Sequence, residues 1–171
     1  GAVPGEIGHA ALDELTPDAP KQSWLTTLSW SDREIVVEIP QSAQFGPHQL
    51  LIWSDTGERT RSGITLHVIG GNYTPQVLEV GPGLDYTTIQ SAIDAAAGYG
   101  PGGNGTAEES LVVVYPGATQ PFTNALGLWF ENPVIYSPVK LQGIGAGGVY
   151  TDGTAVRGTV LDGRAMGGDT P

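Results

Sequence analysis

Cysteine is absent from the 171 residues, and disulfides, thiolate catalysis and cysteine-ligated metals go with it. Cationic side chains are scarce too: 7 Lys and Arg against 18 Asp and Glu leave a formal net charge of -11. Affinity for nucleic acid is built mainly on Lys and Arg, so this balance argues against a phosphate-backbone partner. The acidity fits solubility in a crowded or extracellular setting, with calcium binding by some of the carboxylates as the sharper alternative. No apolar run reaches the roughly 18 residues that a membrane span requires. Gly1 is followed by neither a basic nor a long hydrophobic segment, so any export signal is expected to be absent or already removed.

What the chain has in excess is turn chemistry. It carries 26 Gly and 13 Pro with only 15% charged residues, while 39% are hydrophobic. That profile predicts a mainly β protein of short strands joined by tight turns, and it disfavours a helical bundle. A disordered chain would need fewer apolar residues and denser charge.

Residues 1–22 hold Pro4, Pro17 and Pro20 and only a weak apolar cluster over 10–15, and read as an irregular N-terminal segment with one short helical turn. From Trp24 the pattern becomes that of strands. Residues 24–30 are rich in Thr, Leu and Trp, and Ser31-Asp32 makes a turn. Ile35, Val37 and Ile39 then alternate with other residues until Pro40, whose missing N–H cannot extend a ladder. Residues 48–53 form the next strand after Gly46-Pro47, and Ile64, Leu66 and Val68 alternate with Thr65 and His67. This is the rhythm of half an antiparallel sandwich.

Beyond Gly70-Gly71, residues 71–76 read as a linker and 77–80 as an apolar strand. Ile89, Ala92, Ile93 and Ala96 fall at i, i+3, i+4 and i+7, which predicts one amphipathic helix over 88–97. Thr87 with Gln90 three residues on has the pattern of a capping box. Residues 111–115 are continuously apolar, as a strand buried on both faces would be. Further short strands are expected at 133–136, 139–142 and 159–161.

Two family resemblances follow from these segments. Ser29-Trp30-Ser31-Asp32-Arg33-Glu34-Ile35, Val37-Glu38-Ile39-Pro40, Gly46-Pro47-His48-Gln49-Leu50 and Ser62-Gly63-Ile64-Thr65-Leu66-His67-Val68 together resemble the IPT/TIG family of Ig-like domains. The resemblance implies an Ig-like β-sandwich over residues 23–70, with Trp30 as its structural tryptophan. It also implies opening strands that residues 1–22 do not display, so the sandwich is expected to be partial, cut at its start.

The second resemblance covers residues 77–164. Tyr86-Thr87-Thr88-Ile89-Gln90-Ser91-Ala92-Ile93-Asp94-Ala95-Ala96 is followed by Leu111-Val112-Val113-Val114-Tyr115-Pro116-Gly117 and Glu131-Asn132-Pro133-Val134-Ile135. After these come Val139-Lys140-Leu141-Gln142-Gly143-Ile144-Gly145 and Gly158-Thr159-Val160-Leu161-Asp162-Gly163. The order is similar to the start of a pectin-lyase-like right-handed parallel β-helix. It implies that residues 77–171 are an N-terminal cap helix and first coils. A solenoid end exposes apolar side chains and strand edges, so a lid is physically required there. Solenoids need about three repeats, so the coils are expected to continue beyond residue 171.

Candidate chemistry is sparse. Asp85, Asp94, Glu108 and Glu109 are the carboxylates that acid–base work would use, and a solvated helix face or loop accounts for each. His9, His48 and His67 lack metal-ligand spacing, and His67 falls on the solvated side of its strand. Asp152, Asp162 and Asp169, each beside Gly, are the calcium candidates, and turn formation explains them equally well. The glycines from Gly143 to Gly148 suit solenoid corners better than a dinucleotide loop, because no helix pattern opens after them. Among Trp24, Trp30, Trp53 and Trp129, the last is the candidate for an exposed ligand contact such as sugar stacking. Asn72-Tyr73-Thr74 and Asn104-Gly105-Thr106 match the N-glycosylation pattern.

The reading that follows is a non-catalytic structural or adhesive module of a larger exported or cell-surface protein, bacterial in character. Its expected partners are the remainder of the parent polypeptide or another chain, and polysaccharide. The alternatives are the start of a polysaccharide-active lyase, esterase or epimerase, or modules accompanying a catalytic domain elsewhere. β-Helix enzymes resembling this start keep their catalytic residues on later coils, so none is assigned here.

Overall fold

The structure is a computed structural model that describes residues 8–14, 22–31, 33–60, 63–99, 110–117, 128–149 and 152–163. The chain divides into two compact units between Thr74 and Pro75. The fold is mainly β, with one α-helix among the described residues.

The first unit holds β1 (His9–Glu14), β2 (Gln22–Trp24), β3 (Thr26–Trp30), β4 (Ile35–Glu38), β5 (Gly46–Trp53) and β6 (Ile64–Val68). β1 corrects the expectation of an irregular start. It is an inner strand of an antiparallel sheet ordered β2-β1-β5-β6. Leu12 faces Leu50 across one pair, and Leu50 faces Ile64 across the next. Ala10, Ala11 and Leu12 are all buried, so the segment shows no alternation that a sequence pattern would catch.

The hairpin β3–β4 forms a second small sheet, turned by Ser31, whose hydroxyl accepts from the Arg33 and Glu34 N–H groups. A register shift between Thr27 and Ser29 interrupts its ladder. Ala10, Leu12 and Leu25 form a buried cluster against which Val37 of the hairpin and Leu50, Leu66 and Val68 of the larger sheet pack. Trp30 lies over Gly8, where an added Cβ would come within 2.7 Å of its ring. The segment expected as a linker begins with a closed turn in which Gly70 and Tyr73 exchange both backbone hydrogen bonds. The ring of Phe45 lies against Gly70 and Gly71, and at φ 55° Gly71 also suits only glycine well.

The second unit holds β7 (Gln76–Val80), α1 (Ile89–Ala96), β8 (Ser110–Val114), β9 (Leu128–Trp129), β10 (Lys140–Gly143), β11 (Gly148–Val149), β12 (Ala155–Val156) and β13 (Val160–Leu161). Its central sheet is parallel and ordered β10-β8-β7. Val77 pairs with Leu111, and Leu111 pairs in turn with Lys140, so each new strand joins the ladder after a long excursion of the chain. A second parallel pair joins β9 to β13, with Leu128 opposite Val160 and Trp129 opposite Leu161. Residues 133–136, expected as a strand, lie outside every strand.

α1 buries Ile89, Ala92, Ile93 and Ala96 against Leu78, Val80, Val112, Val114 and Trp129, so the predicted apolar stripe is the packed one. Its N-cap is Thr88, one residue later than the capping-box pattern indicates. The Thr88 hydroxyl accepts from the Ser91 N–H at 3.1 Å.

Candidate functional site

Among the described residues of the second unit, one end of the parallel stack carries no covering strand. Leu78, Val112 and Leu141 form a single rung across β7, β8 and β10. Their exposures are 3%, 0% and 37%. The second ladder repeats the gradient, from Trp129 at 8% to Leu161 at 47%. Burial is lost at the last strand of each ladder, and Ile144 and Val160 are exposed beside them.

Thr159 joins the two edges. Its N–H donates to the Gly145 carbonyl at 2.9 Å, and its hydroxyl donates to the Val114 carbonyl and accepts from the Ile144 N–H at 3.2 Å. A Cβ on Gly143 would stand 2.8 Å from Thr159, so β10 and the entry to β13 lie side by side. Glycine at 143 permits that approach. A second close crossing follows, where a Cβ on Gly158 would collide with the Gly147 backbone nitrogen. Among the described residues, the result is a partly exposed apolar surface that carries strand edges.

The exposure expected of Trp129 is not what the fold gives. Its indole is buried in the core, and Nε1 donates to the Tyr115 carbonyl at 2.8 Å. A large ring with one polar atom fills the space beside α1 once that atom finds a partner. Trp24 is instead the exposed tryptophan, at 57%, and its ring centroid lies 5.1 Å from that of Trp53.

No known protein family matches the chain, and none of the curated proteins or solved structures compared with it resembles it.

Among the described residues, no three His, Cys, Asp or Glu side chains group as metal ligands would. Asp152 Oδ1 accepts from the Thr154 N–H at 2.9 Å, the hydrogen bond of a turn, and Gly153 follows at φ 83°. The Asp162 N–H donates to the Trp129 carbonyl at 2.8 Å. Asp169, Glu108, Glu109 and Asn104 lie outside the described residues. Asp85 is exposed, whereas Asp94 Oδ1 accepts from Gln90 and from the Tyr136 hydroxyl, both at 2.7 Å.

His48 is buried, and its Nε2 lies 2.7 Å from the Gln44 carbonyl, to which it donates. His67, expected in solvent, is half-covered and stacks on Tyr73 at 5.8 Å with Nδ1 against the phenol hydroxyl. Burial pushes the Tyr73 phenol up from its ordinary value. Across β7 and β8, Tyr115 donates to Glu79 at 2.7 Å, and this bond, followed by burial and the carboxylate charge, raises the Tyr115 phenol. These are structural pairings. Asn72 is exposed in the turn that closes the first unit.

Sequence reasoning missed one polar residue with a long reach. Glu131 caps α1 from 42 residues away, and no local pattern carries that signal.

Proposed function

We propose that the chain is a non-catalytic structural or adhesive module of a larger exported, cell-surface protein. In this reading the first unit is an Ig-like spacer of the IPT/TIG type. The second is the capped base of a right-handed parallel β-helix of the pectin-lyase-like kind. The observation that carries the proposal is the parallel stack in which Val77, Leu111 and Lys140 share one rung although they lie far apart in the sequence. Such an arrangement is what successive solenoid coils produce, since each coil adds one strand to the same ladder.

The two unburied edges support the partner assignment. A further coil, from the parent polypeptide or another chain, would pair with β10 and β13 together and cover Leu141 and Leu161. The charge of -11 fits an extracellular setting, and the absence of cysteine is compatible with an extracellular or a cytosolic one. Two measurements test the proposal. The intact mass of the native protein is expected to be well above 17.8 kDa, and a value near 17.8 kDa overturns the reading. The native protein is also expected to release no product from pectin or alginate, whereas steady turnover would favour the enzyme reading.

A further inference from the structure

Residues 131–136 lie outside every strand, yet they run beside α1 from its first turn to past its end. Three side chains make the attachment. The Glu131 carboxylate accepts from the Ile89 N–H at 2.9 Å and 3.1 Å and from the Gln90 N–H at 3.3 Å. The Gln90 carboxamide pairs in both directions with the backbone of Val134, accepting from its N–H at 2.7 Å and donating to its carbonyl at 3.4 Å. The Tyr136 hydroxyl donates to Asp94 at 2.7 Å, and its ring lies 6.3 Å from that of Tyr99 just beyond the helix.

The helix needs this help. At eight residues it is too short to be stable from propensity alone. Its first-turn N–H groups have no partner within the helix. Thr88 takes one of them, and Glu131 takes two while placing a negative charge at the positive end of the helix dipole. β7, β8 and β10 share the same core with α1 but are also joined to one another by a continuous parallel ladder.

We propose that residues 131–136 are a latch that holds α1 closed over the apolar end of the second unit, and that the lid can open while the β7-β8-β10 ladder stays intact. An open lid uncovers Leu78, Val80, Val112 and Val114, the side chains that α1 packs against.

Residue-resolved amide exchange on the full chain tests this, comparing the native sequence with a Glu131→Ala, Tyr136→Phe double variant. Ile89 and Gln90 lose a direct acceptor in this variant, so the readout is Ile93 and Ala97, where exchange is expected to accelerate roughly 10- to 100-fold while Leu111 to Val114 keep their protection. Dye binding to exposed apolar surface should rise in parallel. Equal acceleration of α1 and β8 would overturn the proposal, because the segment would then only support the whole unit. Unchanged exchange in α1 would overturn it as well. Should the double variant fail to fold, Tyr136→Phe alone removes a single hydroxyl and must still give an acceleration confined to α1.

Discussion

Replacing Leu141 by alanine should destabilise the second unit less than replacing Val112 by alanine, although leucine loses the larger side chain. The two residues share one rung, so they differ chiefly in position along the stack. Val112 is fully buried between β7 and β10 and beneath α1. Truncating it removes two carbons, worth roughly 0.8 kcal/mol each in transfer, and leaves a sealed void. The total is about 2–3 kcal/mol. Leu141 loses three carbons, which in a closed core would cost about 2–5 kcal/mol. However, it keeps 37% of its surface in solvent, and the space left behind opens to water. Its cost is therefore the transfer loss of its buried part alone, about 1.5 kcal/mol, with no cavity contribution added.

Native-state hydrogen exchange at the amides of β8 reads the opening free energy of this unit by itself. A Leu141→Ala cost equal to or above that of Val112→Ala would refute the reasoning, because β10 would then be an interior strand. The same substitution in a longer polypeptide that lays a strand on β10 should cost about 2–5 kcal/mol.

Three further outcomes are expected. Trp129→Phe should destabilise the second unit by about 1–3 kcal/mol by removing the partner of the Tyr115 carbonyl, and acrylamide should quench Trp24 well before Trp129. Gly158→Ala should cost about 3 kcal/mol in chemical denaturation, because the new Cβ meets backbone at Gly147 that cannot yield, whereas Gly148→Ala, in open space, should be within about 0.5 kcal/mol of neutral. The hydrogen bond to Asp94, followed by burial and the Asp94 charge, pushes the Tyr136 phenol up to about 12. Folding thus favours the neutral phenol, and its contribution is fully present below about pH 10 and lost as pH rises through about 12. Ultraviolet titration of phenolate formation should show that late step, and Asp94→Asn should move it toward the ordinary value.

How much of this was legible depended on whether a signal was local. Ile35 and Val37 alternate within β4, and Ile89, Ala92, Ile93 and Ala96 recur at helical spacing in α1, so both elements stand within a residue or two of their expected places. β8 was equally legible, because a continuous apolar run bounded by Pro116-Gly117 has few other readings. β1 was not. Ala10 and Ala11 favour helix intrinsically, and only pairing with β2 and β5 makes the segment a strand.

The candidate site divides the same way. Apolar residues in β10 and β13 are visible as short strands, but their exposure is a property of the stack and of which strand comes last. Trp129 departs from its expected exposure for the opposite reason. Its neighbours in sequence suggested a loop, while pairing of β9 with the distant β13 turns the indole inward. Likewise Gln90 fitted a capping box, yet its carboxamide is taken by Val134. Contacts over such separations leave no local pattern.

The parallel register of the stack is tested most directly by cross-linking, which the cysteine-free sequence makes unambiguous. Val113 stands opposite Gln142. Aligned residues on neighbouring strands are about 4.8 Å apart, within the span of a disulfide. Under oxidation, a Val113→Cys, Gln142→Cys chain should form the intramolecular bond readily. Val113→Cys with Leu141→Cys should not, because a shift of one residue puts the two thiols on opposite faces. Cross-linking of the shifted pair, or failure of the aligned one in folded protein, would contradict the account.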